Sequence, residues 1–69
     1  MKISARNVLE GTIKEIRKGA TTSHVAIKVK GGEVITASIT NEAVEELDLQ
    51  QGTDAYAVIK ASDVMIAVK

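Results

Sequence analysis

Two stretches of strict alternation separated by a glycine pair constrain this chain more than any other feature. Val25, Ile27 and Val29 share one face of an extended segment, and His24, Ala26, Lys28 and Lys30 take the other. The same period returns from Glu33 to Thr40 with Ile35, Ala37 and Ile39. Side chains alternate across a strand and recur every 3.6 residues on a helix, so period two marks half-buried strands. Gly31-Gly32 between them reaches positive φ at little steric cost, the usual mark of a hairpin. The centre of the chain therefore reads as two antiparallel strands.

Alternation continues on both sides. Ile3 to Lys18 reads as a long first strand, and Gly11 within it predicts a bulge or bend that lets the strand leave one sheet and enter another. Ala55, Ala57 and Ile59 mark a strand over 54–59, and Val64, Ile66 and Val68 mark another over 64–68. Between the third and fourth strands, Thr40 or Asn41 can cap a short helix. Glu42 favours its positive end, and Val44 and Leu47 are expected to face inward. Asp48 to Gly52 turns the chain into the next strand. The order βββαββ predicts an all-β fold with one short helix, a five-stranded OB-like Greek-key barrel forming a single domain over 1–69. An SH3-like barrel is the second choice.

Such a barrel has little to fill it. Of 69 residues, 31 are in the apolar class, but nine of these are Ala and none is Phe, Trp or Cys. A chain this short buries only about 60 % of its unfolded surface. With no disulfide to add stability, burial between subunits is the expected supplement, and the chain is read as an oligomer. Charge agrees with self-association. Residues 1–30 carry seven Lys/Arg against two Glu, a balance of +5, and residues 31–69 carry two Lys against seven Asp/Glu, a balance of −5. Solvated strand faces would explain the same pattern equally well.

Several classes of function are excluded or disfavoured. No apolar run approaches the roughly 20 residues that cross a bilayer, and the start Met-Lys-Ile-Ser-Ala-Arg lacks the apolar stretch of a secretory signal. The reading is a soluble, cytoplasmic chain with no membrane partner. The absence of Cys removes thiol catalysis and Cys-zinc sites. His24 lies on the polar face of its strand and Ser23 points to the other, so no triad assembles and no enzyme is expected. Single-strand nucleic-acid binding needs stacking aromatics in a basic groove, and a net charge of zero with Tyr56 alone supplies neither.

What remains is a pair of terminal segments, Ile3-Ser4-Ala5-Arg6-Asn7 and Ile59-Lys60-Ala61-Ser62. Each combines hydroxyl or amide groups with one cation and a small Ala that lets backbone N–H groups approach a ligand. Donors with Lys or Arg are what a small oxyanion requires, because every oxygen accepts and charged donors bond more strongly. On spacing alone, Ser4, Asn7 and Ser62 are as well explained as strand-end residues that satisfy local backbone.

At these residues the chain resembles the molbindins, or Mop proteins, whose domain is of the Mop/TOBE-like kind. The resemblance is carried by Ile3-Ser-Ala-Arg-Asn7, by Ile39-Thr40 ahead of the helix, and by Val58-Ile-Lys-Ala-Ser62 followed by Val64-Met-Ile. The Gly-Gly hairpin and the Glu-Leu-x-Leu-x-x-Gly turn belong to it too, so it runs through essentially the whole chain. It implies a cytoplasmic binder of molybdate or tungstate, without a cofactor, that assembles as a homo-oligomer. The expected assembly is a hexamer, a trimer of dimers, with oxyanions held at subunit interfaces. Carried over by position, Ser4, Ala5, Arg6 and Asn7 would face Lys60, Ala61 and Ser62, and Thr40 would be a further binding position. In chemical terms Lys60 would offset the dianion's charge. Ser4, Thr40 and Ser62 would donate hydroxyl bonds, and the N–H groups of Arg6 and Asn7 would close the cage. Storage or buffering of the anion is the expected role. An oxyanion sensor acting through a partner chain is the alternative, since neither a DNA-reading helix nor a P-loop is expected here.

Overall fold

The computed structural model describes residues 1–69. It contains β1 (Asn7–Lys18), β2 (Thr22–Val29), β3 (Val34–Thr40), α1 (Asn41–Glu46) and β4 (Asp54–Ile59), then a 3₁₀ turn over Ala61–Asp63. The strands form one antiparallel sheet in the order β3-β2-β1-β4. This is a curled half-barrel, mostly β with one short helix.

The central hairpin forms as its alternation predicts. Lys28 pairs with Val34 and Thr22 with Thr40. The turn closes through Gly32 N–H donating to the Val29 carbonyl at 2.9 Å, with Gly32 at φ 98°. That value lies in the region where a Cβ is strongly disfavoured. On the inner face Val25, Ile27 and Val29 are buried and join Ile13 and Ala57 in the core, against which Ile16, Ile35, Ile39, Val44, Leu49 and Ala55 pack. The core is thin because its residues are small. Seven of 69 residues are buried, one of them Ser23.

Strand β1 starts at Asn7 rather than Ile3, and it serves two neighbours. Residues 7–12 pair with β4, and residues 11–18 pair with β2. The irregularity lies between Ile13 and Glu15, not at Gly11. Lys14 is the extra residue that lets the strand bend. Gly11 is required for a different reason. A Cβ there would lie 2.4 Å from the Lys28 carbonyl oxygen, so the glycine marks a close approach of β2 to β1.

Helix α1 begins at Thr40, whose Oγ1 accepts from the Ala43 N–H at 3.0 Å. Its end corrects the expectation that Leu47 faces inward. Leu49 N–H donates to the Val44 carbonyl and Asp48 N–H to the Glu45 carbonyl, each at 3.0 Å, with Asp48 left-handed at φ 51°. This is a Schellman ending, which brings the residue after the left-handed one back over the helix. Leu49 thus packs with Val44 on the core, and Leu47 is left 65 % exposed.

The fifth expected strand, over 64–68, does not form. Residues 64–68 are apolar at every position but pair with no strand, and Met65, Ile66 and Val68 stand more than 85 % exposed. The sheet therefore has four strands instead of five, and the barrel is open between β3 and β4. Alternation makes a segment competent to pair, but it does not decide where the partner lies.

Candidate functional site

The pairing of β1 with β4 places the two terminal segments side by side. Asn7 lies opposite Ile59 in the register, so the residues before Asn7 and after Ile59 leave the sheet together. Asn7 locks this exit, with its Nδ2 donating to the Ile59 carbonyl at 3.2 Å. Beyond it the chain ends enclose an open hollow of about 590 Å³ lined by Ile3, Ser4, Ala5, Arg6, Val58, Lys60, Ala61, Ser62 and Asp63.

Six of the eight residues singled out in the sequence thus meet in one place: Ser4, Ala5, Arg6, Lys60, Ala61 and Ser62. Asn7 sits behind them with its side chain on backbone. Thr40 is elsewhere, at the junction of β3 with α1 on the far edge of the sheet, where its oxygen accepts from the helix. It does not line the hollow.

The backbone around the hollow offers donors. No N–H of Ser4, Ala5 or Arg6 is spent on a backbone hydrogen bond. Lys60 precedes a 3₁₀ turn closed by Asp63 N–H on the Lys60 carbonyl at 2.9 Å, and the first N–H groups of such a turn have no partner inside it. Ala5 and Ala61 keep the approach open because they project no more than a methyl group. Two cations, Arg6 and Lys60, and two hydroxyls, Ser4 and Ser62, surround these donors. Chemically this suits a small species rich in acceptors.

Sequence reasoning missed three lining residues. Ile3 and Val58 supply apolar wall. Asp63 places a carboxylate beside the cations and lowers the positive charge of the hollow from two to one, if all three side chains are ionised. Its position directly after Ser62 was the available signal. No group of three or more His, Cys, Asp or Glu side chains is placed to hold a metal ion. No helix is long and apolar enough to cross a membrane.

A small half-barrel whose chain ends gather donors and cations around an open hollow is a binding module in its architecture. The chain belongs to the TOBE domain family, which it matches over residues 3–66, and within it to the molybdenum-pterin-binding (Mop) proteins. It is 46 % identical to molybdenum-pterin-binding protein 1 of Clostridium pasteurianum over 66 residues, covering 96 % of this chain and 97 % of that protein. Its backbone is similar to that of MopII from Clostridium pasteurianum, with a TM-score of 0.92, 42 % identity, and coverage of 97 % of this chain and all of the other. It is also similar to the cytoplasmic molybdate-binding protein ModG in a molybdate-bound form, with a TM-score of 0.90 and 49 % identity. That match covers 94 % of this chain and 46 % of the ModG chain. These relatives are named as binding proteins rather than enzymes.

Proposed function

We propose that this protein binds molybdate, and tungstate by the same chemistry, and that it stores or buffers the oxyanion in the cytoplasm without catalysing a reaction. The observation that carries the reading is the convergence of Ser4, Ala5 and Arg6 with Lys60, Ala61 and Ser62 on one hollow. A tetrahedral dianion presents four oxygens that only accept, and this hollow is rich in groups that donate. Lys60 offsets charge, Ser4 and Ser62 donate hydroxyl bonds, and the N–H groups of Arg6 and Asn7 close the cage. The arginine side chain braces the surface. Thr40 does not line the hollow of its own chain, so it joins the cage only from a neighbouring copy. On this reading the sites lie at subunit interfaces, in a homo-oligomer for which the hexamer, a trimer of dimers, is the expected form. The names of the relatives support the ligand, and the single domain over 1–69 is the binding unit.

Selectivity follows from size. Molybdate and tungstate are larger than sulfate, so a cage fitted to them leaves sulfate with stretched hydrogen bonds. Native mass spectrometry of the purified chain titrated with molybdate, with equal sulfate as control, tests the reading. An oligomer that gains molybdate and ignores sulfate is expected. Uptake of neither anion, or of both equally, would overturn it. Lys60→Ala should weaken molybdate binding at least tenfold and leave assembly unchanged, since losing one charge-assisted hydrogen bond costs about 1.5–3 kcal/mol. Unchanged affinity removes Lys60 from the site.

A further inference from the structure

One group in the hollow at the chain ends is at odds with a cage for dianions. Asp63 lines it together with Arg6 and Lys60. The ion pair of the molecule joins Lys30 to Glu10, outside the hollow. Arg6, Lys60 and Asp63 thus share one opening without neutralising one another by direct contact, and none of their side chains is engaged in a hydrogen bond. The backbone of Asp63 is committed while its carboxylate is not. Its N–H closes the 3₁₀ turn on the Lys60 carbonyl at 2.9 Å, which holds the residue at the end of that turn.

An ionised carboxylate accepts hydrogen bonds and donates none. This divides oxyanions into two classes. Molybdate, tungstate and sulfate carry no proton near neutral pH, so against such a carboxylate they set acceptor against acceptor and charge against like charge. Phosphate and arsenate keep at least one proton on oxygen and can donate it to the carboxylate in a short, charge-assisted bond. Size does not separate sulfate from phosphate, because the two tetrahedra are nearly alike.

We infer that Asp63 is a specificity-determining residue of the hollow, whose carboxylate holds down the affinity for fully deprotonated oxyanions and favours those that carry a proton on oxygen. This role rests on the reading of the hollow as an oxyanion site, and it adds protonation to size as a criterion of choice. For molybdate the consequence is a weaker, more readily exchanged grip than Arg6, Lys60 and the two serine hydroxyls alone would give.

Isothermal titration calorimetry of the whole chain near neutral pH and at low salt, with molybdate, sulfate and phosphate in turn, compares the wild type with Asp63→Asn and Asp63→Glu. Asparagine keeps the size of the side chain and can donate where the carboxylate repels. Affinity for molybdate should rise about threefold to tenfold in Asp63→Asn, the effect of one exposed charge on a dianion, and the gain should shrink as salt is added. Sulfate should gain by a similar factor and phosphate by less, so that the preference for phosphate over sulfate falls by about threefold or more. Asp63→Glu restores the acceptor and should restore the wild-type order of the three anions. A residue that merely shapes the turn would shift all three alike and would not be rescued in this way. Equal gains for the three anions in Asp63→Asn would overturn the inference, as would an unchanged molybdate affinity. Uptake of phosphate without molybdate by the wild type would sink the molybdate reading and leave the preference set by Asp63 standing. A wild type that takes none of the three anions would overturn both.

Discussion

Gly11→Ala should be among the most damaging single-methyl changes in this protein. The added Cβ would lie 2.4 Å from the Lys28 carbonyl oxygen and 2.9 Å from both the Lys28 carbonyl carbon and the Val29 Cα. Real Cβ atoms essentially never approach closer than 3.0 Å, so the opposing backbone must retreat. It has little room to do so. Gly11 pairs with Val29 on one side and Ala55 on the other, which fixes β1 between two strands. All three atoms in the way are backbone, so no side-chain rotation relieves the clash. Forcing a methyl group into a packed site costs about 1–3 kcal/mol. The total stability of a core this small is about 3–5 kcal/mol, so the variant should lose a large share of it. At roughly 4–8 °C per kcal/mol for a chain of this length, the midpoint should fall by about 5–20 °C. Thermal unfolding followed by circular dichroism, at one fixed protein concentration because assembly adds stability by mass action, reads this directly. A variant that melts within a degree or two of the parent would refute the close approach of the β2 backbone to Gly11.

Three further expectations come from the polar contacts. Ser23 is buried and its hydroxyl donates to Asn41 Oδ1 at 2.6 Å, so Asn41→Ala leaves a buried hydroxyl without its acceptor and should cost about 1–3 kcal/mol in urea unfolding. Adding Ser23→Ala should recover part of that loss, and a strictly additive double variant would contradict the pairing. Thr40→Ala removes the helix cap and should cost about 1 kcal/mol, whereas Thr40→Ser should cost less than half as much; equal losses would assign the effect to the methyl group. Lys30 lies 3.0 Å from Glu10, whose hydrogen bond and charge raise the lysine pKa above 10.5. A raised lysine pKa contributes stability below the unfolded value and loses it as pH rises through the folded one. Glu10→Gln should therefore lower neutral-pH stability only slightly, because the pair is exposed, and flatten by that same small amount the fall above pH 10.5. A clear loss at neutral pH would mean that the pair does more than its exposure allows.

What was legible in the sequence was what local periodicity and short-range chemistry decide. β2, β3 and the turn between them follow from alternation and from Gly32, and β4 occupies the 54–59 expected from Ala55, Ala57 and Ile59. The convergence of residues 4–6 with 60–62 was not a matter of local pattern. It depends on Asn7 pairing with Ile59, and the resemblance to the molbindins supplied what spacing could not. The misreadings share one physical cause. Leu47 and Leu49 both suit a core, and only the left-handed turn at Asp48 chooses between them. Gly11 was read as a bend when its lack of a Cβ serves a close approach, and the bend fell on Lys14, which carries no sequence mark. Segment 64–68 has the pattern of a strand, but it lies against no strand of its own chain.

The register that brings Asn7 beside Ile59 also sets when the hollow comes into being. β1, β2 and β3 are joined by short turns and form contacts between near neighbours in sequence, whereas β4 must return across most of the chain to reach β1. Closing so large a loop is slow, since its entropy is lost before any contact rewards it. A chain that has folded only its first three strands therefore has no such hollow at all. The hollow of a single chain arrives with β4, the strand that completes the sheet.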